Sequence, residues 1–416
     1  MNNRSVAALD IGSTKVCAIV AEVQDFAPHN VMIKGSGLCP CEGIRSGSVS
    51  DPAATIQAIE QAVDEAGKQA NCEVDSVYLG ISGKHIGSLT STGRATITNA
   101  KRTVSKRDVD DVIEASRKIV LPPDRQIIHA IPLSFAVDGV ADIVQPIGMK
   151  AERLEVVTHI VHGASAILAN VEKCVTQAGL DIDECMLAVI AAGESVLLPE
   201  EKESGVCLLD IGGTSSNLGV FVSGVIFHSA LIPIGGIHVT KDIAFGLTVT
   251  YSEAERLKIQ NGSAMVEQVR QDEIVAVRQV GTDTSRKLRR RALVQIIEPR
   301  MQELFQLVLE ELRLGDCLDK IPSGIVITGG GSLLNGSMEL VNQALGMPIR
   351  LGGACCAGGL TGTLKQPLYA TAIGLAQMGG SRCQSKVQQS EIPKKDNTRT
   401  IWNQLVRSIK RAVPPQ

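Results

Sequence analysis

The sequence has few aromatic residues and no large excess of charge of either sign. Only 2% of its 416 residues are Phe, Trp or Tyr, and the formal net charge is −3 at pH 7. A protein that binds nucleic acid along its surface needs a basic excess to neutralise phosphates, so we expect no nucleic-acid partner. A hydrophobic content of 44% still supplies enough apolar side chains for the cores of two or three domains.

Long hydrophobic runs and paired cysteine motifs are also missing. The longest apolar stretches, such as 185–192, fall far short of the roughly 20 residues that span a bilayer. Only five uncharged residues separate Arg4 from Asp10, which leaves no room for the apolar core of a signal peptide. The eleven cysteines form no paired CxxC motif, so we expect free thiols in a reducing cytoplasm and no metal centre.

Two common nucleotide-binding motifs are absent, but two unusual turns are present. The sequence contains neither GxxxxGK[ST] nor a GxGxxG after its first strand. Instead, an apolar strand, a glycine-bearing turn and a second apolar strand occur at 5–23, and the arrangement repeats at 205–229. The turns read DIGSTK from Asp10 and DIGGTSSN from Asp210. The repeat predicts a duplicated fold with one site built from both copies.

The composition of each turn suits a triphosphate that carries a divalent cation. A carboxylate meets the water shell of the cation, while glycine backbone, hydroxyls and a lysine meet the phosphates. The residues of these types are Asp10, Gly12, Ser13, Thr14 and Lys15 in the first turn, and Asp210, Gly212, Gly213, Thr214 and Ser215 in the second. For either copy taken alone, an ordinary glycine-rich β-turn is the alternative.

A third glycine-rich element follows much later in the chain. The stretch IVITGGGSLLNGSMELV at 325–341 reads as a buried strand, a triple glycine and a helix with Ser332 near its start. Glycine lets a flat base or sugar lie against the backbone, and a helix N-terminus favours the nearby phosphates. Three such elements in this order predict a nucleotide site more specifically than one does.

Strands and helices alternate along the chain, which predicts sheets covered by helices in an α/β architecture. A helix is predicted over 51–70, with Asp51 as its cap and Pro52 at its first position. The segments 84–162 and 246–324 interrupt this plan, and the second is predicted to be mostly helical. The polar stretch from 379 has too few apolar residues for a core, so it is predicted to be a flexible tether.

The order of these elements resembles the actin, sugar-kinase and chaperone-ATPase superfamily, and finer matches resemble the FtsA family of bacterial cell-division proteins. The matches run through nearly all of 5–378. They include GISGKHIGSLTSTG, VDGVADIVQPIGMKAERLEVVTHI, IPIGGIHVTKDIAFGL, EAERLKIQNG and YATAIGLAQMG. The second of these stretches is similar to a subdomain that FtsA proteins carry and actin lacks.

The resemblance implies an actin-like ATPase fold, in which duplicated sheet-and-helix domains surround a nucleotide cleft. An inserted FtsA-type subdomain and a C-terminal amphipathic helix complete it. The implied parts are 1–83 with 163–205 as the first core subdomain, 84–162 as the insert, 206–245 with 325–378 as the second core subdomain, 246–324 as its helical subdomain, 379–397 as the linker and 398–413 as the amphipathic helix.

The resemblance also implies the ligands. ATP would lie between the two turns, and Asp10 and Asp210 would hold Mg²⁺ through water. The implied adenosine contacts are Gly329, Gly330, Gly331 and Ser332, together with Glu255 and Lys258 of EAERLK. From the residues alone, Glu255 and Lys258 read as the charged face of a solvated helix.

The partners implied are those of a protein that tethers the division ring at the septum. They are the C-terminal tail of the tubulin-like FtsZ, which would contact the region of Arg300, further copies of the chain in a homopolymer, downstream division proteins, and anionic lipid at the cytoplasmic face of the inner membrane. Pro299 beside Arg300 departs from the expected pattern and is predicted to bend its helix.

The second turn departs from the usual family pattern D-I-G-G-G-T-T-D. Thr214 replaces the third glycine, and Asn217 stands where an aspartate is common. Because a carboxylate near the γ-phosphate is lost and no general base emerges among the seven histidines, we expect at most slow hydrolysis and assign no catalytic residue. The alternatives are a soluble phosphotransferase of the sugar or acetate kinase type and an actin-like pilus-assembly ATPase.

The last segment, 398–413, has the pattern of an amphipathic helix. Apolar residues fall in one sector of a helical wheel and polar and basic residues in the other, with the only tryptophan beside the apolar face. The predicted membrane contacts are Ile401, Trp402, Leu405, Val406 and Ile409 on the apolar side and Arg407, Lys410 and Arg411 toward the lipid head groups. Docking of this helix onto protein is the alternative.

Overall fold

The computed structural model describes residues 5–24, 30–279, 281, 284–355, 357–359 and 361–390. The amphipathic helix predicted at 398–413 lies outside these ranges, so its membrane contacts stay predictions. Within the ranges, no helix has both the length and the hydropathy that a bilayer crossing requires.

The chain begins with an antiparallel meander that a later strand joins in parallel. Its elements are β1 (Ser5–Ile11), β2 (Lys15–Val23), β3 (Val31–Pro40), the short pair β4 (Ile44–Arg45) and β5 (Ser48–Val49), α1 (Pro52–Ala70) and β6 (Ser76–Ile81). The Asp51 side chain accepts a hydrogen bond from the amide of Ala54 at 3.1 Å, and Pro52 takes the first helical position. The helix predicted at 51–70 is therefore confirmed, with its cap.

The next elements form a separate small sheet with one helix, which we call the insert. They are β7 (Ile86–Thr96), α2 (Lys106–Ser116), β8 (Arg125–Val137), β9 (Val140–Ile143) and β10 (Arg153–Ala164), in the spatial order β7-β10-β8-β9. Val109 and Val112 of α2 pack with Leu154 and Val156 of β10 in a core of their own. Gly93 permits this packing, because a Cβ there would lie 2.1 Å from the carbonyl oxygen of Val112.

The chain then returns to the first sheet and enters the second. The elements are α3 (Ser165–Gln177), β11 (Asp181–Leu187), α4 (Ala188–Val196), α5 (Pro199–Ser204), β12 (Val206–Ile211), β13 (Ser216–Val222), β14 (Val225–Ile232) and α6 (Gly236–Leu247). Val189 of α4 and Leu208 of β12 belong to one buried cluster. The two halves of the chain, one around each sheet, therefore share a core at α4.

The segment predicted to be mostly helical contains two helices and a hairpin. They are α7 (Tyr251–Asn261), β15 (Ile274–Arg278), β16 (Ser285–Arg289) and α8 (Arg290–Leu314). Pro299 lies inside α8, and the helix continues beyond it. Its buried face, which includes Leu293, Ile297 and Phe305, joins the core of the second half. The prediction for this segment is confirmed, except that the hairpin was not foreseen.

The last strands and helices that the structure describes are β17 (Ile325–Thr328), α9 (Ser337–Leu345), β18 (Ile349–Leu351) and α10 (Ala370–Ser390). The two five-stranded sheets then have the same topology, β3-β2-β1-β6-β11 and β14-β13-β12-β17-β18. In each sheet three strands form an antiparallel meander and two more follow in parallel. The duplication predicted from the repeated turns is confirmed, and β1 and β12 hold equivalent central positions.

The flexible linker predicted to begin at 379 is wrong for 379–390, because α10 continues to Ser390. Contacts of this stretch with the first sheet explain its order. Arg382 is 8% exposed and donates to Glu184 of β11 at 2.7 Å, and a Cβ at Gly379 would lie 2.6 Å from the ring of Tyr78. The prediction failed because it counted apolar residues and missed close helix packing through glycines.

Two histidines are held neutral between the insert and the rest of the fold. The His129 ring accepts a hydrogen bond from the amide of Leu187 at 3.0 Å, and the His159 ring lies 2.9 Å from the Ser229 hydroxyl. Burial lowers the pKa of each ring to about 4, with smaller contributions from Arg382 at His129 and from neighbouring histidines at His159. The expectation that these histidines are structural agrees with these contacts.

We expect the free energy of unfolding to fall as the pH is lowered from about 6.5 toward 4. The pKa of both rings is lower in the folded state than the ordinary value near 6.5, so the unfolded chain binds protons first in this window. Each ring should contribute about 1–3 kcal/mol above pH 6.5 that is lost by pH 4. Chemical denaturation at several pH values measures this, and His159→Gln, which keeps a partner for Ser229 without titrating, should flatten the slope. An unchanged slope in that variant would contradict the assignment.

Candidate functional site

The two predicted turns have the same geometry in the two halves. The amide of Gly12 donates to the carbonyl oxygen of Lys15 at 2.9 Å, and the amide of Gly212 donates to that of Ser215 at 3.0 Å. A Cβ at either glycine would lie 2.9–3.0 Å from the same carbonyl oxygen, which is tighter than ordinary contact. Glycine therefore permits each turn to close directly after its aspartate.

The two turns meet each other across the cleft between the halves. The hydroxyls of Ser13 and Thr214 lie 2.7 Å apart, within hydrogen-bond distance. A Cβ at Gly213 would lie only 2.6 Å from the Cγ2 atom of Thr14. The structure thus brings together the two sets of residues that sequence analysis assigned to one site.

The two carboxylates at this junction share a desolvated environment. Burial raises the pKa of Asp10 to about 6, Lys15 opposes the rise, and the charge of Asp210 adds to it. Burial also raises the pKa of Asp210, against which a hydrogen bond from Asn217 and the charge of Lys15 act. Asp10 is thus a buried carboxylate whose pKa the charge of a second carboxylate raises further, and a cation between the two would stabilise their charged forms.

Lys15 bridges from the first turn to the segment before α10. Its ammonium group donates to the carbonyl oxygen of Leu368 and lies 5.9 Å from the centre of the Tyr369 ring. Neither contact is an ion pair, and the charge of Lys15 acts to lower the pKa of both Asp10 and Asp210. Sequence analysis did not find Leu368 or Tyr369, although YATAIGLAQMG was among the quoted matches.

The glycine-rich element beside β17 differs in detail from its prediction. Gly330–Leu333 form a short 3₁₀ helix and α9 begins only at Ser337, so Ser332 does not lie near the start of an α-helix. Instead its hydroxyl donates to the carbonyl oxygen of Gly329 at 2.7 Å. Two glycines pack on β12, since a Cβ at Gly329 would lie 2.2 Å from an Asp210 oxygen and one at Gly331 would lie 2.4 Å from Ile211.

Gly330, in contrast, has nothing within 4 Å of a built Cβ and is exposed. Of the three glycines it is therefore the one with room for a ligand. Gly329 and Gly331 also bring this backbone against β12, and their predicted ligand contacts stay predictions.

Glu255 and Lys258 of α7 lie close to the second turn and to each other. The Lys258 ammonium donates to Glu255 at 2.7 Å and to the carbonyl oxygen of Gly236 at 3.1 Å. The amide of Gly236 in turn donates to the carbonyl oxygen of Gly212 at 3.0 Å. The structure places this pair next to the second turn, and not on a fully solvated helix face.

Sequence reasoning missed the residue that connects these elements, Gly235. A Cβ there would lie 2.7 Å from the carbonyl oxygens of Gly212 and Gly213 and from the amide of Ser215. The start of α6 can therefore approach the second turn only without a side chain. The signal was present as a Gly-Gly pair before a helix, but such pairs are common at ordinary turns.

Comparisons with known proteins agree with this geometry. A family model described as Cell division protein FtsA matches residues 207–374. The chain is 39% identical to the Cell division protein FtsA of Pseudomonas aeruginosa over 378 residues, which cover 91% of this chain and 90% of that protein. This chain belongs to the FtsA family. It is thus an actin-like cell-division protein, as the resemblance implied.

The insert and the fold are also confirmed as those of the FtsA family. A model described as SHS2 domain inserted in FTSA matches residues 83–162. The fold is similar to that of a PilM-PilN type IV pilus biogenesis complex, with a TM-score of 0.64 at 19% identity over 90% of this chain and 98% of that chain. It is also similar to MreB5 of Spiroplasma citri bound to ADP, with a TM-score of 0.51 at 14% identity over 94% and 98% of the two chains. At these identities the likeness concerns the actin-like ATPase fold alone.

The residues at the FtsA-family cleft fit magnesium with a phosphate ligand. In the ranges that the structure covers, no group of three or more His, Cys, Asp or Glu side chains could hold a metal ion by itself. Asp10 and Asp210 alone supply carboxylates, so a cation there would draw its other ligands from water and phosphate. Mg²⁺ characteristically binds in this way.

Arg300 lies apart from the cleft, on α8. Its guanidinium donates to both oxygens of Asp242 on α6, at 2.6 and 3.0 Å, and to Glu303 at 2.5 Å. The side chain is 28% exposed. The predicted partner residue is therefore at the surface, but much of its hydrogen-bonding capacity is used within the chain.

We expect neighbouring glycines of the third element to respond in opposite ways to a methyl group. Gly329→Ala should destabilise the fold by about 2 kcal/mol or more, because φ is +81° and the Cβ would clash with Asp210. Gly330→Ala should change stability by less than about 0.5 kcal/mol, since the added group meets nothing. Urea denaturation of both variants measures the difference. Equal stabilities of the two variants would show that the close approach of the Gly329 backbone to Asp210 does not require glycine.

Proposed function

We propose that this chain binds ATP with magnesium between its two halves, polymerises, and tethers the FtsZ ring to the cytoplasmic face of the inner membrane at the septum. The observation that carries the nucleotide part is the meeting of two equivalent turns, each led by an aspartate, at 2.7 Å. MreB5 of Spiroplasma citri, whose fold is similar, is bound to ADP, which supports a nucleotide as the ligand.

Each group of site residues has a distinct part in this proposal. Bound magnesium would offset the charge of the phosphates. Asp10 and Asp210 would hold its water ligands, and Lys15 would contact a phosphate oxygen from the first turn. Glu255 and Lys258 already lie beside the second turn, where they would meet the sugar and base together with Gly330.

Hydrolysis should be slow, because Asn217 offers an amide where the family commonly has a carboxylate. The amide of Asn217 is occupied by Asp210 and Ser82 and has no proton-accepting role toward water. We propose that ATP acts chiefly as a ligand that sets conformation and assembly. A phosphotransferase needs a base that takes the proton of the acceptor hydroxyl. We assign no such base and do not propose that activity.

The terminal helix predicted at 398–413 would supply the membrane contact. Its apolar residues would contribute several kcal/mol on insertion, and each basic residue about 1 kcal/mol toward anionic lipid. The structure describes α10 as far as Ser390, and residues 391–397 lie in the sequence between that point and the predicted helix. A segment of this length spans at most about 25 Å when fully extended. One copy would bind reversibly, and a polymer would gain avidity.

The surface around Arg300 on α8 is our proposed contact for the C-terminal tail of FtsZ. Its guanidinium is already shared between Asp242 and Glu303, so an acidic tail would compete with these carboxylates. The insert, which has its own core, is the proposed contact for downstream division proteins and neighbouring copies.

Asp210→Asn should weaken magnesium-dependent ATP binding by about 10-fold or more, because it removes one of two charges facing the cation while keeping the side-chain size. Fluorescence titration with a labelled ATP analogue, with and without Mg²⁺, measures the loss. Asp51→Asn is the matched control, since asparagine caps α1 as well as aspartate does. Equal affinities in the presence of Mg²⁺ for wild type and Asp210→Asn would contradict the proposal.

For the membrane helix we expect the face on which a carboxylate is introduced to affect lipid binding more than the added negative charge itself. Leu405→Glu places a carboxylate on the apolar face, and Gln404→Glu places the same group on the polar face. Co-sedimentation with vesicles that contain anionic lipid should fall at least about 10-fold more for the first variant. The difference between full chain and a chain ending at 397 should grow with ATP, and equal pelleting of these two chains would remove the anchor.

A further inference from the structure

We infer that Asn217 is a positioning residue that orients the Asp210 carboxylate, and that the hydroxyl of Ser82 fixes the amide of Asn217. The inference rests on the proposed magnesium-nucleotide site. It gives Asn217 of the second turn a role in that site and adds Ser82, which belongs to neither turn. Ser82 would then affect the magnesium dependence of nucleotide binding without contacting the nucleotide.

The register of the second sheet places Asn217 beside Asp210. The two residues are paired across β12 and β13, so their side chains emerge on the same face of the sheet. The Asn217 amide nitrogen lies 3.4 Å from one oxygen of Asp210, and the Ser82 hydroxyl donates to the amide oxygen of Asn217 at 2.7 Å. Because the hydroxyl donates to the oxygen end of the amide, the N–H end is turned toward the carboxylate.

Ser82 comes from the other half of the molecule. It follows β6 directly, and β6 is the parallel neighbour of β1, with Gly80 paired to Asp10. A Cβ at Gly80 would lie 3.5 Å from an oxygen of Asp10. Gly80 near the end of β6 thus lies next to the Asp10 carboxylate. Ser82, which follows β6, contacts Asn217, and Asn217 contacts the Asp210 carboxylate.

The groups around the Asn217 amide offer it few other hydrogen-bond partners. A small cavity of about 30 Å³ adjoins it, lined by Ser82, Asn217, Leu187, Val189 and Ser229 among others. Most of these lining groups are apolar or already hydrogen-bonded, as Ser229 is to His159. Asn217 therefore finds its polar partners in Asp210 and Ser82.

Among the described residues, the first half shows no equivalent of this arrangement around Asp10. The residue paired with Asp10 across β1 and β2 is Cys17, which is fully buried. A thiol is a weak donor and cannot replace an amide that donates and accepts at once. Within the duplicated site, only the second carboxylate is held in this manner.

The test compares the magnesium dependence of binding of a fluorescent ATP analogue to the full chain and to three variants. Ser82→Ala should raise the Mg²⁺ concentration for half-maximal binding by about 3- to 10-fold, the range expected for one lost hydrogen bond. Ser82→Thr keeps the hydroxyl and should restore the wild-type value, because its methyl can enter the cavity. Ser76→Ala, at the start of the β6 strand that Ser82 follows, removes a hydrogen bond to Asp183 and should leave the Mg²⁺ requirement unchanged.

Combination with Asn217→Ala tests whether the two residues act as one unit. If Ser82 acts only through Asn217, adding Ser82→Ala to Asn217→Ala should cause no further rise in the Mg²⁺ requirement. Effects that add in full, or a wild-type Mg²⁺ requirement in Ser82→Ala, would overturn the inference.

A second measurement needs no nucleotide. In protein labelled with ¹⁵N at asparagine, the side-chain NH₂ signals of Asn217, identified by their loss in Asn217→Ala, should move toward solvent-exposed values in Ser82→Ala and stay in place in Ser82→Thr. Unmoved signals in Ser82→Ala would refute the inference even if ATP binds. Failure of the wild-type chain to bind ATP would refute the proposed function instead, and the NMR result would still decide the role of Ser82.

Discussion

The contact between Ser13 and Thr214 is the constraint on which the rest of the site depends. It joins the turns of two equivalent sheets at 2.7 Å, and in doing so brings Asp10 and Asp210 within each other's electric field. Both carboxylates lose water, and the charge of one raises the pKa of the other. A proton on Asp10 or a cation between the two relieves this repulsion. A cation bound between the two carboxylates would therefore favour the closed cleft, and the closed cleft would favour binding of the cation.

Much of this could be read from the sequence because it depends on local, repeated patterns. A strand, a turn with aspartate and glycine, and a second strand specify a hairpin wherever they occur, and a repeated hairpin predicts a repeated sheet. The cap at Asp51 and the helix α1 are equally local. The sequence also predicted that the two turns build one site, whereas the contact between Ser13 and Thr214 emerged only from the structure.

The features that could not be predicted depend on contacts between distant segments. The order of 379–390 comes from glycines packed on Tyr78 and from one buried arginine, which composition alone does not reveal. Gly329 and Gly331 were predicted as ligand contacts, and the sequence did not reveal that they also fit this backbone against β12. Ser82 and Asn217 are 135 positions apart, and nothing in the sequence around either residue shows that their side chains meet.

The duplication is exact in topology but not in chemistry, and this difference gives the cleft a direction. The first turn ends in Lys15, and the equivalent position of the second turn is Ser215, so only the first of the two turns carries a cationic side chain. Gly330, Glu255 and Lys258 all come from the second half. A ligand with a charged end and a flat end would therefore bind in one orientation, with its phosphates between the turns and its base toward the second half. A symmetric pair of hairpins would allow two orientations, so divergence of the copies is what makes the site specific.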